Sequence, residues 1–305
     1  MAEDINRTTS ISLPTEVSSE ILQKVQEESA IMRLARQITL PGNGVTIPVI
    51  TGDPTAGWVG ETDPKPVSKA QLGTKVMRAY KLAVIEPFSN EFRRDARALY
   101  DALISRLPGV LGLTFDQTVL GTQNKPGNDF DNFAGCTAQS ILNANNGTYL
   151  GLVAADADIS ANGGLLNGFA LGAQGRALLL TATDSTNRPI FLASANDGTV
   201  DKLLGAPAYF NRGIYKAGTA AAGQTAGTPA VVGVAGDWTK ALYGTVEGVQ
   251  IAISDQATLT YKDGSNNDVT LNLWQRNMFA VRAEIEIGFR ADTGCFNLLT
   301  GATPT

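Results

Sequence analysis

Residues 96–121 read ARALYDALISRLPGVLGLTFDQTVLG. Ala96, Leu99, Tyr100, Leu103, Ile104 and Leu107 keep i, i+3, i+4 spacing, and Leu111, Phe115 and Val119 carry the stripe on at intervals of four. Ser89-Asn90-Glu91 supplies a start signal and Gly121 a stop. At 1.5 Å per residue, about thirty residues make a rod of roughly 45 Å. Pro108-Gly109 lies within it and predicts a kink, because proline removes a backbone hydrogen bond and crowds the preceding turn.

Away from this rod the period falls to two. Val45, Ile47 and Val49 alternate with polar or proline positions, and Val76 to Val84 alternates again. Thr51 to Pro66, between them, holds three prolines and three glycines, which forbid a helix or a central strand. Two strands around so long a tip predict an extended hairpin with little core of its own. Trp58 has few apolar neighbours there, so it is expected to be exposed in a free subunit and covered by another chain. Downstream, Val246–Tyr261 and Val269–Phe289 read as long strands, with Val281, Ala283, Ile285 and Ile287 opposite Arg282, Glu284, Glu286 and Gly288.

The remaining segments are shorter. Residues 1–13 form a polar arm, and Pro14-Thr15-Glu16 opens a short amphipathic helix with Val17, Ile21 and Val25 on one side. Ser29 can restart it, carrying Ile31, Leu34 and Ala35. Ala177–Thr181 reads as a buried strand, Asp184–Pro189 as a turn with Ile190-Phe191-Leu192 resuming, and Val231–Val234 as a strand closed by Gly236-Asp237-Trp238. The fold class is α+β.

Composition excludes much chemistry. The 305 residues carry 24 Lys+Arg against 29 Asp+Glu and no histidine. Histidine-based triads, His-ligated zinc, proximal-His haem and histidine pH switching therefore fall together. The net charge of −5 argues against a basic nucleic-acid grip. Cys136 and Cys295, each after a glycine, read as small buried or half-buried thiols. The glycines around 42–60 lack the Gly-Lys-Ser/Thr of a phosphate loop, and Asp156-Ala157-Asp158 lacks the glycine and glutamate of a calcium loop. Glu284 and Glu286 share a strand face, where a solvated charged row is commoner than an acid–base pair. The expectation is a non-enzyme without cofactor, metal or membrane span, made in a cytoplasm without a signal peptide.

The order of parts resembles the major capsid protein of tailed bacteriophages, the Hong Kong 97-type fold. Leu203-Leu204-Gly205-Ala206-Pro207 resembles the family's LLG-x-P segment. Asp184–Ile190 resembles its D-x-x-G-x-P-L turn, with Asn187 in place of the glycine. Gly233–Ala241 and Glu247–Ile251 resemble its GDFS-x-A strand-turn and REGI-x-I strand, and Gln275–Glu284 its closing strand. The resemblance implies an N-terminal arm and helix over 1–44, an extension loop over 45–85 and a spine helix over 86–124. It further implies an axial domain over 125–242, peripheral-domain strands over 243–289 and a return to the axial domain over 290–305.

By the same resemblance the chain is a homo-oligomer of hexamers and pentamers in an icosahedral virion shell around double-stranded DNA held without sequence-specific binding. A separate scaffold protein, a portal and a decoration protein are the other implied partners. Contacts between subunits are expected at Trp58, Glu61, Lys65 and Lys69 on the loop, at Ile21 and Val25 on the arm helix, and at Arg276, Arg282 and Glu284 on the late strands. An encapsulin, the same fold loaded with a cargo enzyme, is the alternative, although the polar arm stands where those shells carry an amphipathic helix. Some relatives join a loop lysine to a neighbour's asparagine beside a glutamate. Lys65, Lys69, Asn277 and Glu284 provide these residue types, but all are common on surfaces, and a non-covalent shell is expected.

Overall fold

The computed structural model describes residues 25, 29–42, 44–52, 71–91, 97–142, 147–184, 186–191, 200–221 and 226–304. Among these, the rod is helix α2, Arg97–Leu120, preceded by a short helix α1, Ala30–Leu34. At ~1.5 Å per residue α2 spans about 36 Å. The helix continues through Pro108 without interruption, and Leu107, Leu111, Phe115 and Val119 are all buried on one side. Gly121 ends it with φ +84, a conformation glycine reaches without strain.

The buried stripe of α2 faces a five-stranded sheet. Its central strand is β14, Met278–Ala291, the longest in the described chain. Strand β4, Tyr80–Ser89, pairs antiparallel along one side of it. On the other side lie β10, Ala241–Thr245, and β11, Gln250–Ser254, with β1, Arg36–Thr39, parallel to β10 at the edge. Val281, Ala283, Ile285, Ile287 and Phe289 of β14 point into the core, as period-two burial demands.

The second sheet has six strands in the order β5-β15-β9-β6-β8-β7. These are Thr137–Ser140, Phe296–Thr300, Val231–Gly236, Gly168–Leu171, Ala206–Phe210 and Lys202–Leu203. Helix α3, Gly147–Ala161, packs Leu152, Ala155 and Ile159 onto it, and helix α4, Ala173–Leu180, adds Leu179. The chain passes between the two sheets through residues 121–136, 236–241 and 291–296. At these crossovers Phe133 stacks on Phe296 with ring centroids 4.6 Å apart, Trp238 meets both edge-on, and Phe289 packs on Phe133 at 5.6 Å. Aromatic burial thus joins the two sheets across one shared core, while the helix-covered face of the six-stranded sheet keeps a second apolar cluster of its own.

Several elements differ from the sequence reading. Ala177–Thr181 is the end of α4 and its cap, not a strand. A short apolar run fits either state, but leucines without β-branching favour helix. Gly175 lets α4 lie close on β9, because a Cβ there would come 2.6 Å from the Val232 carbonyl. Ile190-Phe191 forms no strand; the turn closes in a single bridge between Thr183 and Pro189. The run from Val246 to Tyr261 divides into β11 and β12, Thr258–Lys262, and β12 pairs with β13, Asp268–Asn272, as a separate hairpin.

The long hairpin is β2, Val45–Gly52, with β3, Gln71–Met77, and its partners run from Val45↔Met77 to Gly52↔Gln71. The run from Val76 to Val84 is therefore two strands: strand pairing stops at Arg78-Ala79, and Tyr80 onward belongs to the large sheet, residues 80–85 included. Among the described residues β2 and β3 pair only with each other. None of the described helices is long and apolar enough to cross a membrane.

Candidate functional site: an assembly surface

The hairpin is fixed at its root. Arg290 of β14 donates from Nε and Nη2 to the Val76 carbonyl at 2.7 and 2.5 Å, and its guanidinium meets Asp131 and Asp129, each at 2.9 Å. Lys75 reaches the Ala291 carbonyl at 3.1 Å, and Met77 is fully buried. The Arg290 side chain is 11% exposed, so these charge-assisted bonds are only weakly screened. Beyond this root Thr74 is exposed.

The outer face of the large sheet is open. Register places Glu286 beside Lys81, Glu284 beside Ala83 and Arg282 beside Ile85. Lys81 Nζ lies 3.1 Å from Glu286 and 3.9 Å from Glu284, and Arg282 Nε lies 3.4 Å from Glu284. With Gln250 and Glu247, joined at 2.7 Å, Lys81, Glu284 and Glu286 line a cavity of ≈ 180 Å³. Lys81 and Arg282 are more than half exposed, so these pairs contribute about 1 kcal/mol or less to folding. Their charges are better suited to choosing a partner than to holding the chain together. Ile85, 47% exposed, gives the same face apolar area.

Other uncovered apolar groups lie on α3 and around the β12–β13 hairpin. Tyr149, Leu150 and Val153 are exposed on α3, and Leu165 is 73% exposed just beyond it. Trp274 is 70% exposed in the turn between β13 and β14, with Tyr261 exposed on β12.

Of the contact residues expected from sequence, Arg282 and Glu284 lie together on the open face, and Arg276 is exposed in the turn before β14. Val25 is a correction. It is fully buried in its own chain, where Gly112 of α2 brings the spine against its carbonyl, so its side chain is unavailable to a neighbour. Ile21, Trp58, Glu61, Lys65 and Lys69 lie outside the described residues. Lys81, Glu247 and Glu286 were not expected as members of the patch. Strand register brings them there, and only the alternation around Glu286 hinted at it.

Two buried acids were also unforeseen. Ser29 caps α1, its Oγ accepting from the Met32 amide at 3.0 Å, and donates to Asp116 of α2 at 2.5 Å. Asp116 also accepts from the Ala30 amide at 3.0 Å. Burial pushes its carboxyl up to about 7, against the lowering effect of the bonds from Ser29, Ala30 and Ile31. Asp237 shows the opposite balance. Burial opposes its ionisation, but Thr239 Oγ1, the amides of Leu165 and Thr239 and the nearby Lys240 together hold it below the usual carboxylate range.

The family-like segments turn out to be backbone devices. Asn187 and Leu204 take φ of 59 and 48, with Gly205 at 83, so these segments are left-handed turns. Trp238 donates from Nε1 to the Gly168 carbonyl at 2.9 Å inside the shared core.

Comparison with known proteins agrees with this architecture. The chain is 26% identical over 310 residues to the "Probable major capsid protein gp17" of Mycobacterium phage L5, covering 96% of this chain and 90% of that protein. It is 27% identical over 300 residues to the "Major capsid protein" of Staphylococcus phage 80alpha, covering 95% and 85%. Among solved structures, a chain from Microbacterium phage Oxtober96 aligns over 99% of this chain and 95% of its own, with TM-score 0.70 and 21% identity. A capsid chain of a native GTA particle aligns over 99% and 96%, with TM-score 0.59 and 13% identity. The fold is thus that of Hong Kong 97-type capsid proteins. Residues 10–288 match the phage capsid family, and the chain belongs to that family.

The structure also bears on covalent joining. Asn277 sits before β14 with φ +55, and its Oδ1 accepts from Asn90 Nδ2 at 2.9 Å, which makes it a turn former. Glu284 lies seven residues further along the same extended strand, roughly 23 Å away at 3.3 Å per residue. A proton acceptor must stand within hydrogen-bond reach, so Glu284 cannot serve Asn277 of its own chain. Particles boiled in denaturing detergent are expected to run as one band near 32.0 kDa. A ladder of multiples that survives reducing agent would refute this and make Lys65 and Lys69 the first lysines to replace.

Proposed function

We propose that this chain forms hexamers and pentamers that close into an icosahedral virion shell around double-stranded DNA. The observation that carries the reading is the hairpin β2–β3. It is clamped at its root by Arg290, yet its strands find no pairing elsewhere in the described chain. Such an element gains its packing from a neighbour, and the open sheet face bearing Lys81, Glu284 and Glu286 is the surface it would cover. In this reading α2 and the large sheet form the peripheral domain and the six-stranded sheet forms the axial domain. Scaffold, portal and decoration proteins would be supplied separately, with assembly in the host cytoplasm. DNA is enclosed without sequence readout, in keeping with a net charge of −5, since electrostatic grip grows with the number of basic contacts.

Electron microscopy of the purified chain tests this. Closed shells, or rings of five and six, are expected, and particles from infected cells should contain DNA. A monomer at every concentration would overturn the proposal. Shells filled with a second protein and no DNA would instead favour the nanocompartment.

A further inference from the structure

Two of the three crossovers between the sheets run side by side. The Asp237 amide donates to the Cys295 carbonyl at 3.1 Å, and the Asp292 amide to the Lys240 carbonyl at 3.2 Å. Where they touch, Lys240 Nζ lies 3.1 Å from Cys295 Sγ and 3.0 Å from the Gly163 carbonyl. The sulfur has two further polar neighbours, the Asn162 carbonyl at 3.5 Å and Asp292 Oδ2 at 3.8 Å. Gly164 lets the end of α3 close over it, because a Cβ there would come 3.2 Å from Sγ. Cys295 is buried and Lys240 is part-exposed. The contact with the sulfur is the main influence holding the Lys240 ammonium above the ordinary lysine range. Burial opposes it, and Asp292 and Asp237 add to it.

We propose that Lys240 and Cys295 are a redox-controlled cross-linking pair, in which peroxide oxidation joins Nζ to Sγ through a nitrogen–sulfur bond. The thiol sulfur attacks one oxygen of hydrogen peroxide and the O–O bond breaks. Sulfur loses two electrons to become a sulfenic acid, and the other oxygen leaves as water. Lys240 then releases one proton to solvent, and its lone pair attacks the sulfur. The S–O bond breaks, and the departing hydroxide takes a second proton from nitrogen to leave as water. One thiol, one ammonium and one peroxide thus give a sulfenamide, two waters and a proton. The short Nζ–Sγ separation favours this intramolecular capture over further oxidation of sulfur.

The chemistry does not depend on the shell reading. That reading supplies only the setting, since a virion outside the cell lacks the cytoplasmic reductants that renew thiols. The bond would tie together the two strands that enter and leave the large sheet and so restrict movement between the sheets. Being within one chain, it adds no multiple to a denaturing gel.

Cys136 lies near the same turn, its Sγ donating to the Thr293 carbonyl at 3.3 Å, so a disulfide with it could imitate the mass change. The test therefore uses the full chain carrying Cys136→Ser, titrated with hydrogen peroxide and followed by intact mass and peptide mapping. A species about 2 Da lighter is expected, reversed by thiol reductant, with the Lys240 and Cys295 peptides joined. Adding Lys240→Arg keeps the charge but removes the nucleophilic amine; the lighter species should vanish in favour of gains of about 16 Da or its multiples. An unreactive thiol, or only oxygen gains with Lys240 present, would overturn the proposal.

Discussion

Replacing Asp116 with asparagine is expected to stabilise the chain by an amount that grows from pH 4 to pH 7 and stays level above. Asp116 is fully buried, and burial raises its carboxyl from 3.8 to about 7. The groups that shift it are the Ser29 hydroxyl and the amides of Ala30 and Ile31; none is cationic. Because the folded value is the higher one, the folded chain holds a proton that the unfolded chain releases across this window. The associated stability is fully present below the unfolded value and is lost as pH rises through the folded one. At about 1.4 kcal/mol per unit, the loss is of the order of 4 kcal/mol. Asparagine cannot ionise, yet its Oδ1 can accept from Ala30 while its amide donates to Ser29 Oγ. Alanine, in contrast, leaves buried donors without an acceptor, at about 1–3 kcal/mol each. Urea unfolding of the three proteins from pH 4 to pH 8 checks this. A constant asparagine-to-wild-type difference would show that the three donors keep Asp116 ionised throughout.

That tie marks where sequence reading stops. The Ser29 cap was legible, because a cap speaks to residues three positions away. Its bond to Asp116 was not, since 87 residues separate the partners and nothing local marks an aspartate on a helix as buried. The same holds for Lys240 and Cys295, 55 residues apart and brought together by neighbouring crossovers. The stripe of α2 and the alternation of β14 were legible because each repeats its period over many residues. The hairpin was legible in outline only. Its second strand runs into β4 with no break in apolar alternation, and the join at Arg78 is revealed by close packing. A Cβ at Gly288 would sit 2.5 Å from the Arg78 carbonyl, and one at Gly44 2.7 Å from that of Met77. Likewise Arg282 and Glu284 could be read off one strand, whereas Lys81 and Glu247 join them only through strand order.

Replacing residues 53–70 with Asn-Gly is expected to abolish shells while leaving the subunit folded. Gly52 and Gln71 are paired across the hairpin, so a two-residue turn can close β2 onto β3 at that point. Among the described residues, the contacts that anchor the hairpin lie on the near side of the cut: buried Met77, the Val76 carbonyl held by Arg290, and Lys75 on the Ala291 carbonyl. The excised stretch is rich in proline and glycine and carries Trp58, Glu61, Lys65 and Lys69, four of the residues proposed to meet a neighbour. Removing it should leave the unfolding free energy of the dissociated subunit, from urea titration, within about 0.5 kcal/mol of wild type, as for surface changes that spare the core. Its effect on assembly should be all-or-none, because each contact recurs at every subunit of a closed shell. Sedimentation of the shortened chain would show only subunits or small rings. Closed particles from the shortened chain would remove the hairpin from the assembly surface, and loss of the unfolding transition would show that the tip serves the fold.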